Sequence, residues 1–266
     1  MRDKVCSLDD AVARVRDGAR LGVGGVLLQR KPIAFLCALV AAGRRDLTLC
    51  SFLASLDAEL LAAHGALAAA EVGYVGFEHL GFAPAYSAAV DRGDVTVREH
   101  SEFLFVTGLR AALAGLPFLP TKAAAGSQVL AELGFAEITC PYTGTPLVAV
   151  PALVPDVAVL HAEAADRRGN VVGPARRDFL FDFDANLARA AKQVVVTVER
   201  VLDDVSAERR RTLLFGYEVD AVVEVPRGAA PTGLPGRYPA DLAAVRRYLG
   251  EAGDDARAAL QRLVAA

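Results

Sequence analysis

At 266 residues, with 53% hydrophobic and 23% charged side chains, the chain is long enough for one large α/β domain or two small ones and too apolar to be disordered. A net charge of −3 supplies no global field toward nucleic acid or an anionic membrane, so neither is expected as a partner. Cys6, Cys37, Cys50 and Cys140 lie far apart with no C-x-x-C pair, which argues against a zinc site or disulfide framework and for a reducing compartment.

The start, Met1-Arg2-Asp3-Lys4, leads into a charged helix and not into a signal-peptide core. The most apolar long stretch, residues 146–165, is broken by Pro151, Pro155 and Asp156 and cannot span a bilayer. The protein is therefore expected in the cytoplasm. Ser7-Leu8-Asp9-Asp10 reads as a helix start, with an acid in place of the usual capping-box Glu. A strand is expected near 20–23, followed by the Gly24-Gly25 turn and a helix over 32–41 that Pro32 opens at its first position.

Strands are expected at 46–51, 71–76 and 95–99, with helices at 56–64 and 84–90 between them. A long apolar-striped helix at 103–114 follows Ser101-Glu102. Ala125-Gly126-Ser127 is a second small-residue loop, and 139–142 with 147–150 suggest a β-ribbon around Thr143-Gly144. Further strands are expected at 156–161, 193–199 and 220–225, with a helix at 183–192. Beyond a Pro/Gly segment at 226–239 come two terminal helices, 241–249 and 254–264.

Short apolar strands alternating with helices imply an α/β fold: an open, mainly parallel sheet with helices on both faces. Residues 1–266 read as a single domain with a helical tail from about 240 onward. Ligands of such sheets sit beyond the carboxyl ends of the strands. That places the Gly24-Gly25 turn, Glu78-His79, Glu99 to Glu102, His161 and Glu199 as candidates for one rim. A strand, a glycine turn and a helix start in succession can point bare N–H groups at an anion or a developing oxyanion. The same residues also suit a tight turn that holds no ligand.

Other chemistries find less footing. The loop is Gly22-x-Gly24-Gly25, not G-x-G-x-x-G, and Cys50-Ser51-Phe52 stands where a ribose-binding acid would be. There is no P-loop and no G-x-S-x-G elbow, and the four histidines are well separated, which leaves no metal cluster. The arginine pairs, Arg176-Arg177 among them, read as solvated faces, any one of which could reach a phosphate. What remains is carboxylate chemistry beside a glycine loop. Glu102 stands at a helix start, where a carboxylate is electrostatically favoured, either as a backbone cap or as a catalytic group. His79 and His161 read as hydrogen-bonded structural histidines, and Glu199 as paired with Arg200 or Lys192.

Gly22-Val23-Gly24-Gly25 and Gln29-Arg30-Lys31-Pro32 are followed in order by Tyr74-Val75-Gly76-Phe77-Glu78, Gly115-Leu116-Pro117-Phe118-Leu119-Pro120 and Gly126-Ser127. Then come Asp156-Val157-Ala158-Val159-Leu160-His161, Val196-Thr197-Val198-Glu199, Pro226-x-Gly228-Ala229 and Tyr238-x-x-Asp241. This ordered set resembles the α subunit of glutaconate-type (family I) CoA-transferases. It implies a fold of the NagB/RpiA/CoA-transferase type and, as partner, a homologous β subunit in a heterodimer or heterotetramer. It also implies a CoA thioester and a small carboxylic acid as substrates, with no permanently bound cofactor or metal. The nucleophile in such enzymes is a β-subunit glutamate, which passes through an acyl-glutamyl anhydride and a glutamyl-CoA thioester. The α chain then supplies acid-binding and positioning groups, for which Gly24, Gly25, Arg30, Lys31, Glu78, His79, Gly126 and Ser127 are the substrate-binding candidates.

One position departs from that pattern. Glu102 stands where the transferases look to carry an amide residue, in an Arg98-Glu99-x-x-Glu102 context similar to that of bacterial steroid-ring hydrolases with a catalytic glutamate. A ring-opening acyl-CoA hydrolase using Glu102 is thus the alternative. A non-catalytic, acyl-CoA-binding partner chain and a stand-alone binding module are the remaining ones.

Overall fold

A computed structural model of the chain describes residues 3–177 and 180–265; Met1 and Arg2 of the charged start lie outside it. Seven strands form the main sheet: β1 (Arg20–Val23), β2 (Leu47–Ala54), β3 (Leu67–Val75), β4 (Thr96–Glu99), β5 (Val157–Ala162), β6 (Gln193–Val198) and β7 (Ala221–Glu224). Their order is β7-β6-β5-β1-β2-β3-β4, and every neighbouring pair is parallel. The chain therefore runs outward from β1 in one direction, then returns and builds in the other. Strand order reverses between β1 and β5, where an open α/β sheet leaves a crevice at its carboxyl edge.

The strands are buried on both faces, which explains their near-continuous apolar composition. Along β5, Val157 and Val159 enter one core, and Ala158, Leu160 and Ala162 enter the other. The first core is covered by α1 (Leu8–Val12), α2 (Ile33–Ala41), α3 (Leu56–Ala63), α4 (Pro84–Asp91) and the terminal helix α7 (Leu242–Ala265). The second is covered by α5 (Glu102–Leu113) and α6 (Phe183–Ala190). At its centre Phe52, Phe105 and Phe183 meet with ring centroids 5.4–5.8 Å apart. Burying each such ring is worth about 2–3 kcal/mol, so these contacts tie α5 and α6 to β2.

Local signals place most helix ends. The Ser7 hydroxyl oxygen accepts the Asp10 amide at 3.1 Å, an N-cap, and its proton goes to Asp10 Oδ2 at 2.7 Å, so the aspartate bonds the hydroxyl and not the Ser7 amide that a full capping box would use. Pro32 falls just before α2 instead of inside it. The two expected terminal helices both form within Leu242–Ala265, divided by a kink at Asp255, whose backbone is non-helical (φ −146°, ψ 83°).

Between α5 and β5 a ribbon forms, but its first strand is Glu137–Thr139 and not 139–142, whose last residues enter the turn; it pairs with Pro146–Pro151 and is joined by a third strand, Phe118–Thr121, and a short helix, Gln128–Leu133. A second small sheet joins Val201–Leu202, Ala164–Asp166, Val171–Val172 and Thr212–Leu214. Its strands are two or three residues long, too short to show a period in the sequence.

Candidate active site

All seven strands end on one edge, so the expected rim exists; its contents differ from the expectation. The Gly24 amide donates to the Val159 carbonyl at 2.9 Å. The Gly25 amide donates to Asp184 Oδ1 at 2.7 Å, and Asp184 Oδ2 accepts from Arg30 Nε at 3.1 Å. At the start of α2, the Ala34 amide donates to the Gly228 carbonyl at 3.0 Å. The bare N–H groups expected at this turn are therefore absent: a buried carboxylate and two carbonyls of the chain occupy the place reserved for an anion. Gly25 has φ +76°, and a Cβ there would stand 2.4 Å from the Gln29 carbonyl oxygen, so the turn closes only around glycine.

Lys31 is fully buried, with Nζ 2.8 Å from both Ser51 Oγ and Asp57 Oδ2. Burial pushes its pKa down against the opposing pull of Asp57. Gly24, Gly25, Arg30 and Lys31 thus share one region, and the two cations and the Gly25 amide face carboxylates of the chain itself.

The other candidates lie open. Glu78 and His79 are exposed on the turn Glu78–Leu80 that follows β3. Gly126 and Ser127 are exposed ahead of the helix Gln128–Leu133. Glu102 is the exposed first residue of α5, and the cap there is Ser101, whose Oγ accepts the Leu104 amide at 3.3 Å. Glu102 makes no hydrogen bond or ion pair among the described residues. Leu104 and Leu130 share a small core with Val148 and Val150, which keeps the Gly126-Ser127 helix start on the same side as Glu102. Glu102 follows β4 and Gly24 follows β1, three strand spacings away. Phe105, one turn further along α5, nevertheless packs 5.4 Å from Phe183, the neighbour of the Asp184 that holds the Gly25 amide.

Several ionisable groups of the site have no pairing legible in the sequence, or pair differently from the expectation. His161, fully buried, donates from Nε2 to Glu199 Oε1 at 2.8 Å, and its Nδ1 faces Thr197 Oγ1 at 2.9 Å. Glu199 also accepts from the Tyr238 hydroxyl at 2.6 Å and the Arg227 amide at 2.9 Å. The partners expected for Glu199 are engaged elsewhere: Lys192 with Asp156 at 2.7 Å, and Arg200 within 3.8 Å of Glu163. Burial works to raise the Glu199 pKa, but the bonds from His161 and Tyr238 outweigh it and hold the carboxyl below its usual range.

Glu163, at the end of β5, accepts from Arg237, Arg211 and the Ala175 amide. Burial again works upward, and the arginines bring the pKa below the ordinary value. Under α5, Glu71 pairs with Arg20, and His100 Nε2 lies 3.3 Å from Glu71 Oε2. They border a cavity of about 130 Å³. The one sequence signal for His161 and Glu199 is their shared position near the ends of two strands; that the strands are neighbours, with His161 in register with Thr197, is a tertiary fact.

Among the described residues no group of three His, Cys, Asp or Glu could hold a metal ion, and no helix is long and apolar enough to cross a membrane.

An open parallel sheet with ionisable groups gathered beyond its strand ends is the architecture of α/β proteins that bind ligands at a strand-order reversal. The chain belongs to the Coenzyme A transferase family, whose pattern matches residues 5–225. It is 35% identical to the cholesterol ring-cleaving hydrolase IpdA subunit of Rhodococcus jostii, over 93% of this chain and 86% of that one. It is 31% identical to the A-type chain of glutaconate CoA-transferase from Acidaminococcus fermentans, over 92% and 82%. Among solved structures, a Cys-to-Ser variant of the decarboxylase AibA/AibB superposes with a TM-score of 0.89 at 37% identity, covering 100% of both chains. A relative from Archaeoglobus fulgidus, 33% identical, is longer; the chain spans 56% of it.

Proposed function

We propose that this chain is the α-type subunit of a two-subunit CoA-transferase that moves CoA between an acyl-CoA and a carboxylic acid. Support comes first from similarity to the glutaconate CoA-transferase chain over 92% of this one. The observation that carries the division of labour is the closed glycine turn: the Gly24 and Gly25 amides are engaged internally, so this chain has no oxyanion donors there to pair with a nucleophile. In this reading a glutamate of a β-type partner chain attacks the thioester carbonyl and expels CoA as its thiolate, leaving an acyl-glutamyl anhydride. The thiolate then attacks the glutamyl carbonyl and releases the first acid, and the acceptor carboxylate reverses the sequence. Splitting one hard step in two is covalent catalysis, and it requires donors aimed at each tetrahedral oxyanion.

The α chain holds the acid portion. Its exposed candidates are Glu78, His79, Gly126 and Ser127, while Gly24, Gly25, Arg30 and Lys31 are bonded within the chain and hold the turn after β1. The CoA thioester is a substrate, with no resident cofactor, and the enzyme works in the cytoplasm. The test is co-purification with the β-type subunit, followed by borohydride or hydroxylamine trapping and mass spectrometry. A glutamyl adduct on the partner is expected; CoA exchange by this chain alone overturns the assignment.

A second reading is favoured by one observation, the exposed and unpartnered carboxylate of Glu102. In this reading it handles the proton of a water or of a substrate, as an acyl-CoA hydrolase would need. Loss of turnover in Glu102→Gln, with water consumed and no adduct trapped, selects the hydrolase. Retained CoA transfer selects the transferase.

A further inference from the structure

Two loops meet beyond the carboxyl ends of β1 and β5. One carries Arg176 and Arg177, and the other carries Gly236, Arg237 and Tyr238. They close because position 236 is glycine with φ +84°: a Cβ there would lie 3.2 Å from Ala175 Cβ and 3.3 Å from the Arg176 nitrogen. Between the loops and Gln29 runs an open groove of about 730 Å³.

The groove is positively charged by construction. Arg237 is held by Glu163, a carboxylate only 4% exposed, which also receives Arg211 and lies 3.8 Å from Arg200. One carboxylate among three guanidiniums leaves excess positive charge, and Glu208, 3.3 Å from Arg211, offsets only part of it. Arg177 is braced by its guanidinium lying 4.4 Å from the centre of the Phe181 ring. Arg176 has no carboxylate partner among the described residues. Glu199, a further carboxylate among the described residues, is taken up by His161, Tyr238 and the Arg227 amide and offsets one more of these charges. Among the described residues that line it, the groove carries Arg176, Arg177 and Arg237 and no acid, a local excess of positive charge in a chain of net charge −3, inside a concavity that concentrates the field.

We propose that this groove binds a polyphosphate: the phosphate-bearing nucleotide end of a CoA thioester, or a free nucleoside diphosphate. Guanidinium forks match phosphate oxygens in pairs, and the volume suits a nucleotide-sized ligand better than a lone carboxylate. Only the CoA source rests on the family-based function proposed above; the anion site does not.

The test is calorimetric titration of the full chain, co-purified with its β-type subunit, with inorganic pyrophosphate, ADP and CoA at about 0.15 M salt. Saturable binding of pyrophosphate and ADP is expected. Arg176→Ser/Arg177→Ser should weaken it by about tenfold or more, the scale of losing a charged hydrogen bond. Arg92→Ser, an exposed arginine after α4, should leave it unchanged, and melting temperatures of both variants should match the parent. No pyrophosphate binding, or equal loss in Arg92→Ser, overturns the proposal. A raised KM for acyl-CoA with kcat retained in the double variant identifies the CoA thioester as the ligand. An unmoved KM alongside weakened ADP binding identifies a free nucleotide. A complex that turns over but binds no pyrophosphate refutes the groove and spares the family-based function; binding without turnover does the reverse.

Discussion

Asp184 accepts the Gly25 amide at 2.7 Å in the buried interior, across 159 positions of sequence. The aspartate thus does for the glycine turn what a bound anion would otherwise do, and with its second oxygen it neutralises Arg30. The turn is part of the packed structure before any ligand arrives.

Gly25→Ala should therefore lower stability and activity together. The left-handed backbone alone costs a non-glycine residue about 1–2 kcal/mol, and the Cβ would also press on the Gln29 carbonyl 2.4 Å away. Thermal unfolding and turnover of the complex, measured on the same preparation, check this. An active variant with an unchanged melting temperature would show that the turn yields easily.

Lys31 and Asp57 provide a sharper energetic test, since both side chains are completely buried. Lys31→Met leaves the Asp57 carboxylate without its cation and should cost about 3–5 kcal/mol. Adding Asp57→Asn removes that stranded charge while keeping an oxygen for the Ser55 amide, now 2.6 Å from Asp57 Oδ1. The double variant should be about 1–3 kcal/mol more stable than Lys31→Met alone, measured by urea unfolding of the two.

Glu102→Gln should change stability by less than about 0.5 kcal/mol, as for a surface site without special contacts, because Ser101 and not Glu102 caps α5. Any effect on turnover then reports on chemistry. Circular dichroism melts beside kinetics of the complex separate the two.

The acid limb of stability should be steep. Glu71, Glu163 and Glu199 all sit below the ordinary glutamate value, burial being outweighed in each by hydrogen bonds and nearby cations. In such groups the unfolded chain binds more protons, so their contribution is complete above the unfolded pKa of about 4.3 and is lost as pH falls through the lower folded values. Glu59 has the opposite sign: burial raises it despite bonds from the Tyr86 and Ala85 amides, and its contribution is lost as pH rises. The three outnumber the one, and stability should fall on acidification below about 4.3. Glu163→Gln should flatten the slope of denaturation midpoint against pH in that window, and an unchanged slope would mean that Glu163 is not one of the groups responsible.

Composition and local pattern determined a good deal about this protein. Alternating strands and helices, the Ser7 start and the run of motifs resembling a CoA-transferase α chain are local facts, because periodicity, caps and turns depend on residues a few positions apart. Glu102 was legible for the same reason, as an acid beside a helix start. What only the tertiary structure decided is which ionisable groups face each other. Asp184 closing on Gly25, Glu199 taking His161, and Glu163 gathering arginines from three separate segments are contacts between distant parts of the chain, set by strand order and by connections that carry no period. The physical reason is desolvation: a charge or amide leaving water must find a hydrogen-bonding partner, and which partner is near enough is known only once the sheet has ordered its strands.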